Sequence, residues 1–312
     1  MQNPFVYSDD NKRYHTLRYH LSRRFSHRVF KAVIDAGLTC PNIDGTKGSG
    51  GCVFCRAGGS EFTRGALDIR SQITGELARI RSRWQDAQVI AYFQAHTNTY
   101  APLPVLTALY ETALMVPGVC GLSVATRCDA LPDDVTEYLA QLSRQTYLTV
   151  ELGLQTVHDH TAQRINRGHN YKEFIDSYHR LKEKGIRVCI HLINGLPGET
   201  PEDMIETARA VASLHPHAVK LHLLHILRDT PLAESYRRGE VTPMTRQAYI
   251  DTVCAQLAVL PPMTVIERVT GDGARDTLLA PLWSMDKVAV LGGIDKALAE
   301  QGLWQGKLYN KQ

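Results

Sequence analysis

The chain has 312 residues, 44% of them hydrophobic and 21% charged, with a formal net charge of +3. That length suits one α/β barrel of ~200–250 residues with an extension, or two ordinary domains, and the composition excludes a collagenous, low-complexity or disordered chain. No apolar run reaches the ~18 residues of a membrane helix and no signal-peptide stretch opens the chain, so a cytoplasmic protein with no membrane partner is expected.

From Asn11 to Lys31 there are seven Lys or Arg, Arg23, Arg24 and Arg28 among them, and no acid. Tyr14, Leu17, Leu21 and Phe25 recur at helical spacing, which predicts an amphipathic helix with a basic outer face. Such a face is either solvated or a nucleic-acid contact. Six strands are then expected, at residues 29–37, 89–96, 120–127, 147–156, 187–199 and 218–227. Helical periodicity marks 70–84, 103–115, 132–144, 171–184 and 201–214, the last opened by the capping signal Thr200-Pro201-Glu202-Asp203. Strand and helix in alternation predict a parallel sheet: an α/β fold, a partial (β/α)6 TIM-type barrel. It is expected over 29–235, after an N-terminal basic helical segment (1–28) and before a C-terminal α/β extension (236–312) packed on it. Functional residues then belong just after each strand, on the rim where the βα loops gather.

The stretch CPNIDGTKGSGGCVFC, Cys40 to Cys55, obeys that rule. In a reducing compartment clustered cysteines point to metal binding. A structural zinc site takes four ligands, and here there are three thiols, with His96 a candidate fourth. Three thiols instead suit a [4Fe–4S] cluster that keeps one iron open for a cosubstrate, and both readings stand on the residues alone. Cys120, Cys128, Cys189 and Cys254 are expected to be buried and inert. His191, His222 and His225 are expected as satisfied core residues, with His222 and His225 near the rim. Glu151 in a strand needs a partner, because an unpaired buried carboxylate is costly.

The chain resembles the radical SAM enzymes. The resemblance runs from YHTLRYHLSRRF through the cysteine stretch, AYFQAHTNTY, ATRCDALPD, ELGLQTVHDHTAQRINRGHNY, HLINGLPGET and KLHLLHILRDTPLA to TGDGARDTLLAPLW. With C-x11-C-x2-C it is similar to the YhcC/YtqA subfamily, near the Elp3-like and oxygen-independent coproporphyrinogen oxidase groups. Ile43 and Cys128 depart from a pattern that often reads CPNRDG and ATRPD.

The resemblance implies that Cys40, Cys52 and Cys55 hold a [4Fe–4S] cluster and that Phe54 packs beside bound cofactor. It implies contacts to S-adenosylmethionine (SAM) from the turn Gln94-Ala95-His96-Thr97-Asn98, from Gln155 and Arg167, and from Gly195 and Leu196 on the adenine side. Glu151 is placed with the catalytic residues. The chemistry implied is reductive cleavage of SAM to a 5′-deoxyadenosyl radical, with an electron from a reductant such as flavodoxin or ferredoxin. The substrate implied is a tRNA, modified on the side chain of the wobble uridine. Arg23, Arg24 and Arg28, with Arg268, Arg275, the Gly271-Asp272-Gly273 turn and an exposed Trp283, are expected to contact it. A small metabolite is the alternative substrate, and a non-catalytic metal- or nucleic-acid-binding protein the further alternative. No acetyltransferase domain or second cysteine cluster is seen in the sequence.

Overall fold

The computed structural model describes residues 5, 7–8, 12–56, 68–94, 96–271, 273 and 275–309. Asn11, Ala95 and Asp272 lie outside them. In chain order the elements are α1 (Leu17–Arg24), β1 (Val29–Ile34), α2 (Ile69–Arg81), β2 (Gln88–Phe93), α3 (Leu103–Leu114), β3 (Val119–Thr126) and α4 (Asp133–Gln145). There follow β4 (Tyr147–Gln155), α5 (Asp159–Arg164), α6 (Tyr171–Glu183), β5 (Arg187–Asn194), α7 (Pro201–Ser213), β6 (Ala218–Leu223) and β7 (Ile226–Leu227). The chain ends with α8 (Pro231–Arg237), α9 (Arg246–Val259), β8 (Val265–Arg268), β9 (Leu278–Ala280) and α10 (Lys287–Glu300).

The six expected strands form β1 to β6, all parallel, and each expected helix follows its strand. The half-barrel has seven strands rather than six among the described residues, because β8 adds to β6. It comes from the stretch expected as an extension, and its four residues, of which the first two are buried, make too short a run to read as a strand in advance. β7 continues from β6 and pairs antiparallel with β9 beside the rim.

Local chemistry explains the helix starts. Asn170 and Thr200 form capping boxes with Glu173 and Asp203, each satisfying backbone donors at its helix N-terminus. The apolar faces of α2, α3, α4, α6 and α7 close over the outer face of the sheet in one core that includes Ile73, Leu106, Leu139, Phe174 and Val211.

The basic helix is shorter and elsewhere than expected. α1 covers eight residues and rests through Leu17, Leu21 and the following Phe25 on Val29, Cys120 and Tyr147, which open or nearly open β1, β3 and β4. It therefore plugs the N-terminal end of the barrel, opposite the rim. There Thr16 bridges Ile266, and Ile266 N donates to the His15 carbonyl at 2.7 Å, tying this segment to β8. Lys31 is not on the basic face: it lies in β1 and points inward. Arg28 stacks on Trp84 with 3.6 Å from guanidinium to ring centroid. Trp283 is half-buried against the core, with Nε1 donating to the Met244 carbonyl at 2.9 Å, so it is an anchor and not an exposed ring.

Candidate active site

Alternate residues of the parallel strands face inward, and they line one cavity of about 800 Å³. Lys31 and Val33 come from β1, Tyr92 and the following Gln94 from β2, Glu151, Gly153 and Gln155 from β4, His191 from β5, and Lys220 and His222 from β6. Loops at the strand ends form the rim. Cys40, Cys52 and Cys55 come from the loop after β1, His96 and Thr97 follow β2, Arg127 follows β3, and Arg167 and His169 follow β4.

The three cysteines are brought together. Cys55 comes first among the groups that lower the Cys52 thiol to about 7; against burial, Arg127, Asn42 and Arg167 act in the same direction. Cys55, the exposed one of the three, has its own thiol pushed well up, by Cys52 first and with Cys40 acting the same way. The loop is held by two asparagines. Asn42 Nδ2 donates to the Asn166 carbonyl at 2.6 Å and lies 3.8 Å from Cys52 Sγ; Asn166 Nδ2 returns bonds to the Ser49 and Gly51 carbonyls at 3.1 and 2.7 Å.

Two cavity residues and one of the clasp asparagines hold left-handed backbone without being glycine: His96 at φ +61°, Gln155 at +69° and Asn166 at +52°. Such strain persists where surrounding structure enforces it, and it gathers at binding sites. Gln155 folds back over Gly153, where an added Cβ would come 2.7 Å from its Nε2. Only glycine at 153 leaves that amide its place.

The other expected contacts divide. Gln94, Thr97, Gln155 and Arg167 line the cavity, and half-buried Phe54 lines it beside the cysteines. Asn98 does not: it is fully buried beneath the turn and donates to the Phe93 and Ala125 carbonyls at 3.2 and 3.1 Å. Gly195 and Leu196 are also set back from the wall. Leu196 packs behind Phe54 with Ile165 and Leu232, and Gly195 lies against Met244 and Leu224. The turn after β5 buries its apolar side chain. Arg167 is 1% exposed and serves the backbone first, donating to the carbonyls of Leu154, Thr156 and His169. Its Nη2 makes no hydrogen bond and faces Asp159 at 3.7 Å. Arg268 lines the cavity, whereas Arg275 is exposed in the turn before β9.

Glu151 has its partners inside the barrel. Lys31 Nζ donates to its Oε1 at 2.6 Å, Ser123 Oγ donates to the same oxygen, and Lys220 Nζ and His191 Nε2 donate to Oε2, the last at 2.6 Å. Lys31 also pairs with Glu267 at 2.5 Å. Although burial works against it, Lys220, Lys31 and His191 hold the Glu151 carboxyl well below the ordinary carboxylate range. Glu151, Cys189 and His191 lie close enough to share a metal ion, but the two ammonium groups already neutralise the carboxylate. Glu151 is thus the centre of a saturated polar floor. His191 is hydrogen-bonded within that floor, as expected of a satisfied residue, whereas His222, with its ring centroid 5.0 Å away, has a buried Nε2 with no hydrogen-bond partner among the described residues. Cys128, Cys189 and Cys254 are buried with thiols pushed up by burial, as expected of inert cysteines, whereas Cys120 is only half-buried.

The donor set fits a three-thiolate cluster with a polar ligand beside it. Thr97 Oγ1, Asn42 Oδ1 and Arg167 Nη2 are buried around the cysteine end with no hydrogen-bond partner among the described residues, a state native structures rarely leave unexplained.

Comparison with known proteins agrees with this architecture. Residues 43–211 match the Radical SAM superfamily and residues 216–300 the Radical SAM C-terminal domain. The chain is 47% identical over 311 residues to the uncharacterized protein YtqA of Bacillus subtilis, covering 99% of this chain and 97% of YtqA. It is 36% identical over 285 residues to the protein YhcC of Escherichia coli, covering 91% of each. In fold it is similar to the archaeal Elp3 of Methanocaldococcus infernus, with a TM-score of 0.67 at 16% identity; the match covers 89% of this chain and 64% of that one. No described helix is long and apolar enough to cross a membrane. The chain belongs to the radical SAM superfamily, whose members use a [4Fe–4S] cluster and SAM, and within it to the YhcC/YtqA group on the Elp3-like branch.

Proposed function

We propose that the chain binds a [4Fe–4S] cluster through Cys40, Cys52 and Cys55, binds SAM in the adjoining cavity, and modifies a tRNA nucleoside. The observation that carries the first two parts is the gathering of three thiols on the rim of a half-barrel, at one end of a cavity where Thr97 Oγ1 and Arg167 Nη2 have no hydrogen-bond partner among the described residues. When bound, cluster and SAM supply the reductive cleavage that yields methionine and a 5′-deoxyadenosyl radical.

The chain's own residues bind, orient and exclude water. Gln155, held in its strained conformation, presents an amide to the SAM ribose; Thr97 Oγ1 and the Gln94 side chain meet its amino end. Arg167 offers Nη2 to the carboxylate while its other nitrogens fix the loop after β4. Phe54 shields the cysteine side. The polar floor around Glu151 closes the far end, so that water does not enter from below.

The tRNA reading rests on what the resemblance to the YhcC/YtqA subfamily implies, a wobble-uridine substrate, and on exposed cations near the rim: Lys47 in the cysteine loop, Arg228 after β7 and Arg275 before β9. The position of α1 favours a second reading. Its cations sit at the closed end, which takes away their use in guiding RNA to the rim and suits a small metabolite equally. Anaerobic reconstitution separates the enzyme readings from a structural zinc protein. The reconstituted chain is expected to be brown and to release 5′-deoxyadenosine from SAM with dithionite; a colourless zinc protein rules out both. Mass spectrometry of tRNA nucleosides from a strain lacking the gene then separates RNA from metabolite: a missing or accumulated wobble-uridine intermediate supports RNA, and an unchanged profile rules it out.

A further inference from the structure

The guanidinium of Arg127 enters the cavity beside Cys40 and Cys52. It is clamped there. Nε and Nη2 donate to the two oxygens of Asp129 at 2.9 and 2.8 Å, and Nη1 donates to the Arg167 carbonyl at 2.7 Å. The side chains of Arg127 and Asp129 are 11% and 3% exposed. Asn42 and this guanidinium both approach Gly168. At Gly168, with φ +80°, an added Cβ would come 3.2 Å from Arg127 Nη2 and 2.6 Å from Asn42 Oδ1, and the Asn42 amide reaches toward the Cys52 sulfur. A fixed cation and its counter-ion, both sheltered from water, are therefore built next to two of the thiols.

We propose that Arg127 and Asp129 set the reduction potential of the cluster, Arg127 raising it and Asp129 lowering it. The proposal rests on Cys40, Cys52 and Cys55 holding that cluster. Reduction takes one electron from an outside donor, makes or breaks no bond, and leaves the cluster one charge more negative. A nearby cation stabilises the reduced form and a nearby anion opposes it, and both effects are strong where water is excluded. The bidentate pair also stops the guanidinium from turning away.

The test is an EPR-monitored redox titration of the reconstituted full-length chain without SAM, so that cosubstrate binding does not enter. Arg127→Gln is expected to make the cluster roughly tenfold harder to reduce, about 59 mV more negative for a one-electron couple. Asp129→Asn is expected to move it a similar distance the other way, and Arg127→Lys to stay near the parent. Arg127→Gln and Asp129→Asn break the same ion pair, so loosening alone would move both in one direction. A shift of both in one direction, or no shift in either with the cluster intact, overturns the proposal. Should Arg127→Gln fail to take up cluster, Asp129→Asn decides it by the sign of its shift, with Arg127→Lys expected at the parent's potential. A parent chain that takes up no cluster instead overturns the cysteine assignment, and this proposal with it.

Discussion

Lys31 of edge strand β1 pairs with Glu151 of β4 at 2.6 Å, joining strands three positions apart across the inside of the half-barrel. The Glu151 side chain is 0% exposed, so its charge is tolerable only because Lys31, Lys220, His191 and Ser123 all donate to it. Replacing it with Gln removes the charge and strands two ammonium groups on Glu267 alone. Glu151→Gln is expected to cost on the order of 3–5 kcal/mol of stability, as for one partner taken from a buried pair. Denaturant unfolding of the cluster-free chain reads this directly, and a midpoint equal to the parent's would show that the floor is not held by this carboxylate.

The cysteines sit apart from that core. Their loop is tied down by the asparagine clasp and by Val53 N donating to the Ile165 carbonyl at 3.0 Å, not by side-chain sulfur. Cys52→Ala is therefore expected to abolish cluster uptake and SAM cleavage while changing unfolding of the cluster-free chain by less than about 1 kcal/mol. Visible absorption after reconstitution and a denaturant curve are the two measurements. Retained cluster colour in Cys52→Ala would remove this residue from the ligand set.

At the closed end, His15, His20 and His217 cluster with ring centroids 5.8 and 5.3 Å apart, the first pair tilted and the second edge to face. Burial is the first cause lowering all three. His217 falls to about 4, with His20 and Arg187 adding to burial and Glu267 opposing it. A depressed histidine means that the unfolded chain takes up protons first, so stability is full above the unfolded value of 6.5 and declines below it toward about 4. Between pH 7.5 and 5 the loss from His217 is on the order of 1–2 kcal/mol, allowing for its partial exposure. Melting temperatures across that range, compared with His217→Gln, check it: the variant is expected to show a shallower decline. An identical decline in both assigns the acid sensitivity elsewhere.

Much of the barrel is legible in the sequence because its signals are local. The run YLTVELGLQ is buried on both faces of a parallel sheet, and Thr200 caps its helix by a contact three residues away. Cys52 and Cys55 are neighbours in sequence before they are neighbours in space. The polar floor is only half legible. Glu151 plainly needs a partner, but Lys31 and Lys220 lie 120 residues before it and 69 after it, and pairing at that range follows from strand order. The basic run that precedes Lys31 draws it toward the wrong group. Period-two alternation in VFKAVI and AVKLHL turns both lysines inward. Arg127 also carries a signal, since it stands one residue past β3, where the rim rule places functional groups. Asn98 misleads for the opposite reason. Its motif marks the right turn, while which side chain of that turn faces the cavity depends on backbone geometry that sequence spacing does not carry.

If a tRNA is the substrate, its phosphates should meet the rim rather than α1. Arg228 N donates to the Thr277 carbonyl at 2.8 Å, which brings Arg228 next to the segment that carries Arg275, and Leu227 before it lines the cavity. Arg23 and Arg24 end the helix that plugs the opposite end of the barrel, and Arg28 lies stacked on Trp84. Removing one phosphate-binding cation flattens the salt dependence of binding by about 0.7–0.9 in log K per log salt. Arg228→Gln with Arg275→Gln is therefore expected to reduce the slope for bulk tRNA by about 1.4–1.8, while neutralising Arg23, Arg24 and Arg28 together leaves it nearly unchanged. The two variants exchange roles if the RNA instead wraps the closed end: the triple variant would then lower the slope by about 2–3 and the rim pair would lower it little. Binding that matches neither pattern, with a parent chain whose affinity for tRNA barely depends on salt, would leave the small metabolite as the substrate class that the cavity serves.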